Sequence, residues 1–89
     1  MAELTVSVVS ADSQIWSGKA KLLVARTTEG EIGILPGHEP ILAILASGEV
    51  RVTTTDGAVI TAKAEDGFLS VEHDTVTVVA RNAELVSGS

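Results

Sequence analysis

Three stretches of this chain place an aliphatic residue at every second position, and that period of two limits the fold more than any other feature. Leu4, Val6 and Val8 interleave with Thr5 and Ser7; Val50 and Val52 with Arg51 and Thr53; Val76, Val78 and Ala80 with Thr75 and Thr77. Successive side chains of a strand point to opposite faces, so the pattern predicts half-buried antiparallel strands, polar towards water and apolar towards a core. The runs are rich in β-branched residues, which suit a pleated surface better than a helix. Only Trp16 and Phe68 are aromatic, so the core is expected to consist of Val, Leu, Ile and Ala. Val78 is placed on an inner face, and Trp16 is expected to plug one end of the core.

Turn signals punctuate the alternation at Ser17-Gly18, Glu29-Gly30, Pro36-Gly37, Ser47-Gly48, Asp56-Gly57, Asp66-Gly67 and His73-Asp74. Short strands separated by such signals every 8–12 residues or so indicate a sandwich or barrel. Asp56-Gly57, between VRVTTT and AVITAKA, predicts a two-residue hairpin with positive φ at both positions. In PILAILA (40–46) Pro40 could open a helix, but Ser47-Gly48 ends the run early and a strand is preferred. The expectation is an all-β fold, an antiparallel sandwich or flattened barrel of about ten strands. One domain is expected over residues 1–86, followed by a small polar tail at 87–89 that is a truncation point, a linker, a frayed end or an engineered scar.

Six basic residues against twelve acidic ones leave a formal charge of -6, which disfavours nucleic acid and bare anionic lipid as partners. No cysteine is present for disulfide or thiolate chemistry. No signal-like start and no apolar run near the ~18 residues of a membrane span is visible, so neither secretion nor lipid insertion is expected. GEIG precedes no helix and lacks a phosphate-loop lysine, and no serine lies in a nucleophile motif, so neither a cofactor nor catalysis is expected. His38, Glu39, His73 and Asp74 would make a hydrolytic or metal site only if their two turns met and brought the groups to within about 3 Å of a common point. Otherwise they are exposed turn residues. Glu29 and Glu31 read on composition as solvated charges, and Gly33 and Gly37 as conformational, serving a bulge and a turn. Ile41, Leu42, Ile44 and Leu45 are apolar on both faces of their strand, which is either covered on both sides by loops or turned to a partner.

Residues 30–40 read GEIGILPGHEP: a short strand, a Pro-Gly pair suited to a type II turn, and Pro40 opening the next strand at its edge. The segment resembles the signature of the epsilon subunit of F-type ATP synthases (delta in mitochondria), Gly-Glu-[Ile/Leu/Met]-Gly-[Ile/Val]-x-Pro-x-His-x-Pro-[Leu/Ile], at every position. LTVSVVSADSQIWSGKA resembles the family's opening strand and its aromatic-Ser-Gly corner. Asp66-Gly67-Phe68-Leu69-Ser70-Val71 resembles its Gly-Gly-[Phe/Ile]-Leu-x-Val strand, with Asp66 in place of the first Gly, and VTVVARNAELV resembles its last strands. The resemblance covers residues 3–86. It implies a non-catalytic rotor subunit of the central stalk that couples the gamma subunit to the c-ring, peripheral on the cytoplasmic face of a bacterial plasma membrane. It places Glu29, Glu31 and His38 on the c-ring, and Val9, Ser10, Ile41, Leu42 and Ala43 on gamma. Family members usually continue into a helical hairpin associated with inhibition, which is absent from this sequence, so that activity is not carried over. The alternative is an acidic β-sandwich that binds another protein or a glycan.

Overall fold

The computed structural model describes residues 3–11 and 13–87. The alternating runs form six strands: β1 (Leu4–Ser10), β2 (Gln14–Thr27), β3 (Gly30–Ile34), β4 (Ile41–Thr54), β5 (Val59–Glu72) and β6 (Thr75–Ser87). No helix occurs among the described residues. The sheet order is β1-β6-β5-β4-β2-β3, and β1 also pairs with β2. That extra pairing closes five strands into a flattened barrel, with β3 attached to β2 as an additional edge strand. The expected tail is partly overtaken: Ser87 belongs to β6, and residues 88–89 lie outside the described residues.

The all-β class holds, but there are six strands rather than ten, and the sheet is not wholly antiparallel, because β1 runs parallel to β6. The strand count fell because three turn signals do not reverse the chain. Ser17-Gly18 lies within the β1–β2 ladder. Ser47-Gly48 lies within β4, where pairing with β5 lapses between Ile44↔Phe68 and Gly48↔Ala64. Asp66-Gly67 lies within β5, with Asp66 at φ 54°. A Cβ on Gly67 would fall 1.9 Å from the Val79 carbonyl oxygen, so only glycine lets β5 and β6 approach this closely. The strands bend here and pass from one layer of the flattened barrel to the other. One layer holds β3, the second half of β2, the second half of β4, the first half of β5 and the end of β6. The other holds β1 with the remaining halves. Alternating runs on either side of each bend are thus halves of one strand.

Three turns form as expected and one differs. Pro36-Gly37 makes a type II turn: the His38 amide donates to the Leu35 carbonyl at 3.1 Å, with Gly37 at φ 87°. At the Glu29-Gly30 turn, the Thr27 hydroxyl donates to the Gly30 carbonyl (2.7 Å) and accepts from the Glu29 amide (3.1 Å). Asp56-Gly57 is not a two-residue hairpin. The loop spans 55–58 and only Gly57 is left-handed, at φ 94°. The Thr54 hydroxyl, bonded to Asp56 and Ala58, closes a wider loop. Positive φ at both loop positions occurs instead at His73 (50°) and Asp74 (59°), a two-residue type I′ turn between β5 and β6. Gly33 pairs regularly with Val24, so β3 has no bulge there.

The core is aliphatic. Leu4, Val6, Val8, Leu23, Ile34, Val52, Leu69, Val71, Val76 and Val78 are essentially inaccessible. Trp16 packs half-buried against this cluster, its indole lying over Gly18. Each large aliphatic side chain contributes about 1.5–3 kcal/mol by burial, before conformational entropy is subtracted.

Candidate functional site

Strand register decides which outward side chains become neighbours. On the outer face of the β1-containing layer, one rung joins Ile44↔Phe68↔Val79↔Val9 across β4, β5, β6 and β1. Leu42 opens the next rung, which continues through Ser70, Thr77, Ser7 and Ser17. A third runs Glu72, Thr75, Thr5, Lys19. The face therefore grades from aliphatic and aromatic, through hydroxyls, to charge. Leu42 (70%), Ile44 (57%) and Phe68 (39%) are the most accessible apolar side chains on it. Its polar side is ordered: the Lys19 ammonium donates to the Thr5 hydroxyl (2.8 Å) and lies 3.9 Å from Glu3. A shallow recess is lined by Ser70, Glu72, His73, Thr75 and Thr77.

The opposite face has another character. Arg26 faces Glu31 across β2–β3, Glu31 reaches Arg51 at 3.5 Å, and Lys63 lies between Glu49 and Glu84 on neighbouring strands. Opposite charges directly across a ladder support a solvated sheet surface with small energies per pair. Contiguous apolar area on one outer face, bordered by hydroxyls and then charge, is what a partner-binding surface requires.

The residues expected at the gamma subunit are divided by the pleat. Val9 and Leu42 lie on the apolar outer face. Ser10, Ile41 and Ala43 have inward parity, paired with the buried residues Ala80, Val71 and Leu69. Ile44, named in the sequence with Leu42 as apolar on its strand, completes the rung together with Phe68 and Val79, which the sequence did not single out as partners of it. Ile44 shares the parity of Leu42; Phe68 and Val79 become their neighbours only through the β4–β5–β6 register.

Glu29, Glu31 and His38, expected at the ring, lie along the edge strand β3 and its flanking turns rather than in one cluster. Glu29 is in the β2–β3 turn, and the Thr28 amide of that turn donates to the Ile44 carbonyl at 3.0 Å. His38 follows the type II turn, its Nδ1 2.7 Å from the Glu39 carbonyl. The hydrolytic constellation meets half of its condition. The two turns do touch, the Gly37 amide donating to Asp74 Oδ1 at 2.7 Å. The side chains of His38, Glu39, His73 and Asp74 do not converge: His73 Nε2 lies 3.9 Å from Glu72, and among the described residues no group of three or more His, Cys, Asp or Glu could hold a metal. The Asp56 carboxyl is held below the usual range by the Thr54 hydroxyl and then the Ala58 amide. That group closes a hairpin and is fully exposed.

Comparison with known proteins agrees with this geometry. Residues 3–86 match the family described as ATP synthase, Delta/Epsilon chain, beta-sandwich domain. The chain is 58% identical over 85 residues to the ATP synthase epsilon chain of Micrococcus luteus, covering 96% of this chain and 93% of that one. It is 51% identical over 86 residues to the epsilon chain of Rhodococcus jostii, covering 96% and 70%. Among solved structures it superposes on a chain of the Euglena gracilis mitochondrial ATP synthase OSCP/F1/c-ring assembly with TM-score 0.89 and 26% identity. That match covers 96% of this chain and 54% of the other, so this chain spans about half of it. A chain of the Tetrahymena thermophila central stalk/c-ring shares the fold, with TM-score 0.74 at 14% identity. The epsilon chain is a structural and regulatory subunit rather than a catalytic one. An aliphatic flattened barrel with one apolar outer face, matched across its length by these relatives, belongs to the delta/epsilon chain family of ATP synthases.

Proposed function

We propose that this domain is a rotor part of the central stalk, docking on the gamma subunit through its apolar outer face and on the c-ring along β3. The observation that carries the reading is the Ile44–Phe68–Val79–Val9 rung with Leu42 beside it, present on one outer face while the other is laced with charge pairs. Transmitting torque requires a stiff body and a dry contact. The closed ladder supplies the stiffness, and the apolar rung bordered by hydroxyls supplies the contact. Glu29, Glu31 and His38 are rim groups on this reading. Each exposed ion pair there would contribute about 0–1 kcal/mol, which orients the domain more than it holds it. The bacterial relatives suit a position on the cytoplasmic face of the plasma membrane, and among the described residues no helix is long and apolar enough to cross one.

The test is the double variant Ile44→Glu, Phe68→Glu assayed for retention on gamma. Both side chains are already accessible, so the fold should persist, with Tm within a few degrees of the parent. Retention should fall by at least about tenfold, as expected for loss of central apolar contacts. Unchanged retention in a folded variant would remove this face from the interface.

A further inference from the structure

The segment from Leu35 to Pro40 connects β3 to β4 and carries His38. Prolines occupy two of its six positions, and Pro has no amide to donate. The turn's own hydrogen bond uses the His38 amide and the Leu35 carbonyl, and the His38 ring bonds to the adjacent Glu39 carbonyl. Among the described residues, one hydrogen bond ties this segment to another element: the Gly37 amide to Asp74 Oδ1, at 2.7 Å. A type II turn leaves the amide of its third residue unused, and here a carboxylate takes it in a charge-assisted bond.

Asp74 is itself well placed to act as an anchor. It is the second residue of the type I′ turn, at φ 59°, a conformation Asp tolerates through its short polar side chain. Its carbonyl accepts the Thr5 amide at 2.8 Å. The β5–β6 turn is thereby fixed to β1, and the carboxylate projects from a point held on both sides.

We propose that Asp74 is the positioning residue of the 35–40 segment: through Gly37 it sets the direction in which Pro36 and His38 face, and so the strength of docking on the ring. The inference rests on the ring contact proposed above and deepens it. Asp74 acts through the turn without touching the ring.

Two substitutions separate the side chain's role from that of the backbone. Asp74→Gly keeps the left-handed conformation and removes the acceptor; Asp74→Asn keeps both the conformation and an Oδ1 acceptor. Amide exchange of Gly37 in the full chain reads the latch directly. Affinity for ATP synthase depleted of this subunit, compared with affinity for the ring-free gamma-containing part, reads its consequence. In Asp74→Gly, Gly37 exchange should accelerate by roughly 10–100-fold, the scale of a lost hydrogen bond to a charged group. Affinity should fall for the ring-bearing enzyme and stay within about twofold for the ring-free part. Asp74→Asn should restore both readouts to within a few-fold of the parent. Unchanged Gly37 exchange in Asp74→Gly overturns the latch, and faster exchange with undiminished affinity for the ring-bearing enzyme overturns the positioning role. The variant Glu31→Lys, His38→Ala identifies which idea has failed: if it too binds the ring-bearing enzyme normally, the ring contact itself is wrong.

Discussion

Single residues show how little of this fold depends on special chemistry and how much on space. Gly67 and Gly33 look alike in the sequence, yet a Cβ at Gly67 meets the Val79 carbonyl oxygen at 1.9 Å, whereas at Gly33 the nearest atom is a Leu22 methyl at 4.0 Å. Gly67→Ala should therefore cost about 3 kcal/mol, the upper end of overpacking penalties, and Gly33→Ala less than about 0.5 kcal/mol. Urea denaturation of the two variants would check both values. Asp56 offers a titration test. Its folded carboxyl titrates below the unfolded one because Thr54 and Ala58 donate to it. On acidification the unfolded chain thus takes up this proton first. Any stabilisation from the group is complete above the ordinary carboxylate range and is lost as pH falls through the folded value. Thr54→Val removes the leading donor, and NMR titration should show the Asp56 pKa rise towards the usual range.

At the scale of elements, the decisive features are bends and parity. β4 and β5 lose their rungs together, between Ile44↔Phe68 and Gly48↔Ala64, and β5 and β6 close again on either side of Asp66. The corner is shared by neighbouring strands because a ladder can turn only if its partners turn with it. Parity within β6 makes adjacent positions opposite in consequence. Val78 is fully buried, and a chain of this length holds roughly 5–13 kcal/mol of net stability. An unpaired carboxylate in that position costs a large part of this. Val78→Asp should leave the chain unfolded by near-ultraviolet and NMR criteria, whereas Thr77→Asp, one residue away on the outer face, should lower stability by less than about 1 kcal/mol. A melt of Val78→Asp within a couple of degrees of the parent would contradict the inner-face assignment.

Across the whole molecule, the two outer faces differ: one carries paired charges, the other the apolar Ile44–Phe68–Val79–Val9 rung. Exchanging the charges of Glu49 and Lys63 should leave retention on gamma unaltered. Raising the salt from roughly 0.1 M to 1 M, which shortens the Debye length from about 10 Å to about 3 Å, should change that retention by less than about twofold. A strong salt dependence in a binding assay would move the contact to the charged face. The period-two runs were enough to establish the all-β class and the aliphatic core with Val78 inside it, and the Pro-Gly pair the Pro36-Gly37 turn, because pleat parity and proline's fixed φ are local properties of the chain. GEIGILPGHEP was enough to suggest the family. Local signals could not distinguish a glycine that reverses the chain from one that bends it. Ser47-Gly48 and Asp66-Gly67 became bends because a neighbouring strand was present to continue the ladder beyond them. The parallel β1–β6 pairing joins the two ends of the chain, which no local pattern encodes. The apolar rung was likewise hidden: Ile44, Phe68, Val79 and Val9 are far apart along the chain, and only the register of four strands makes them one surface.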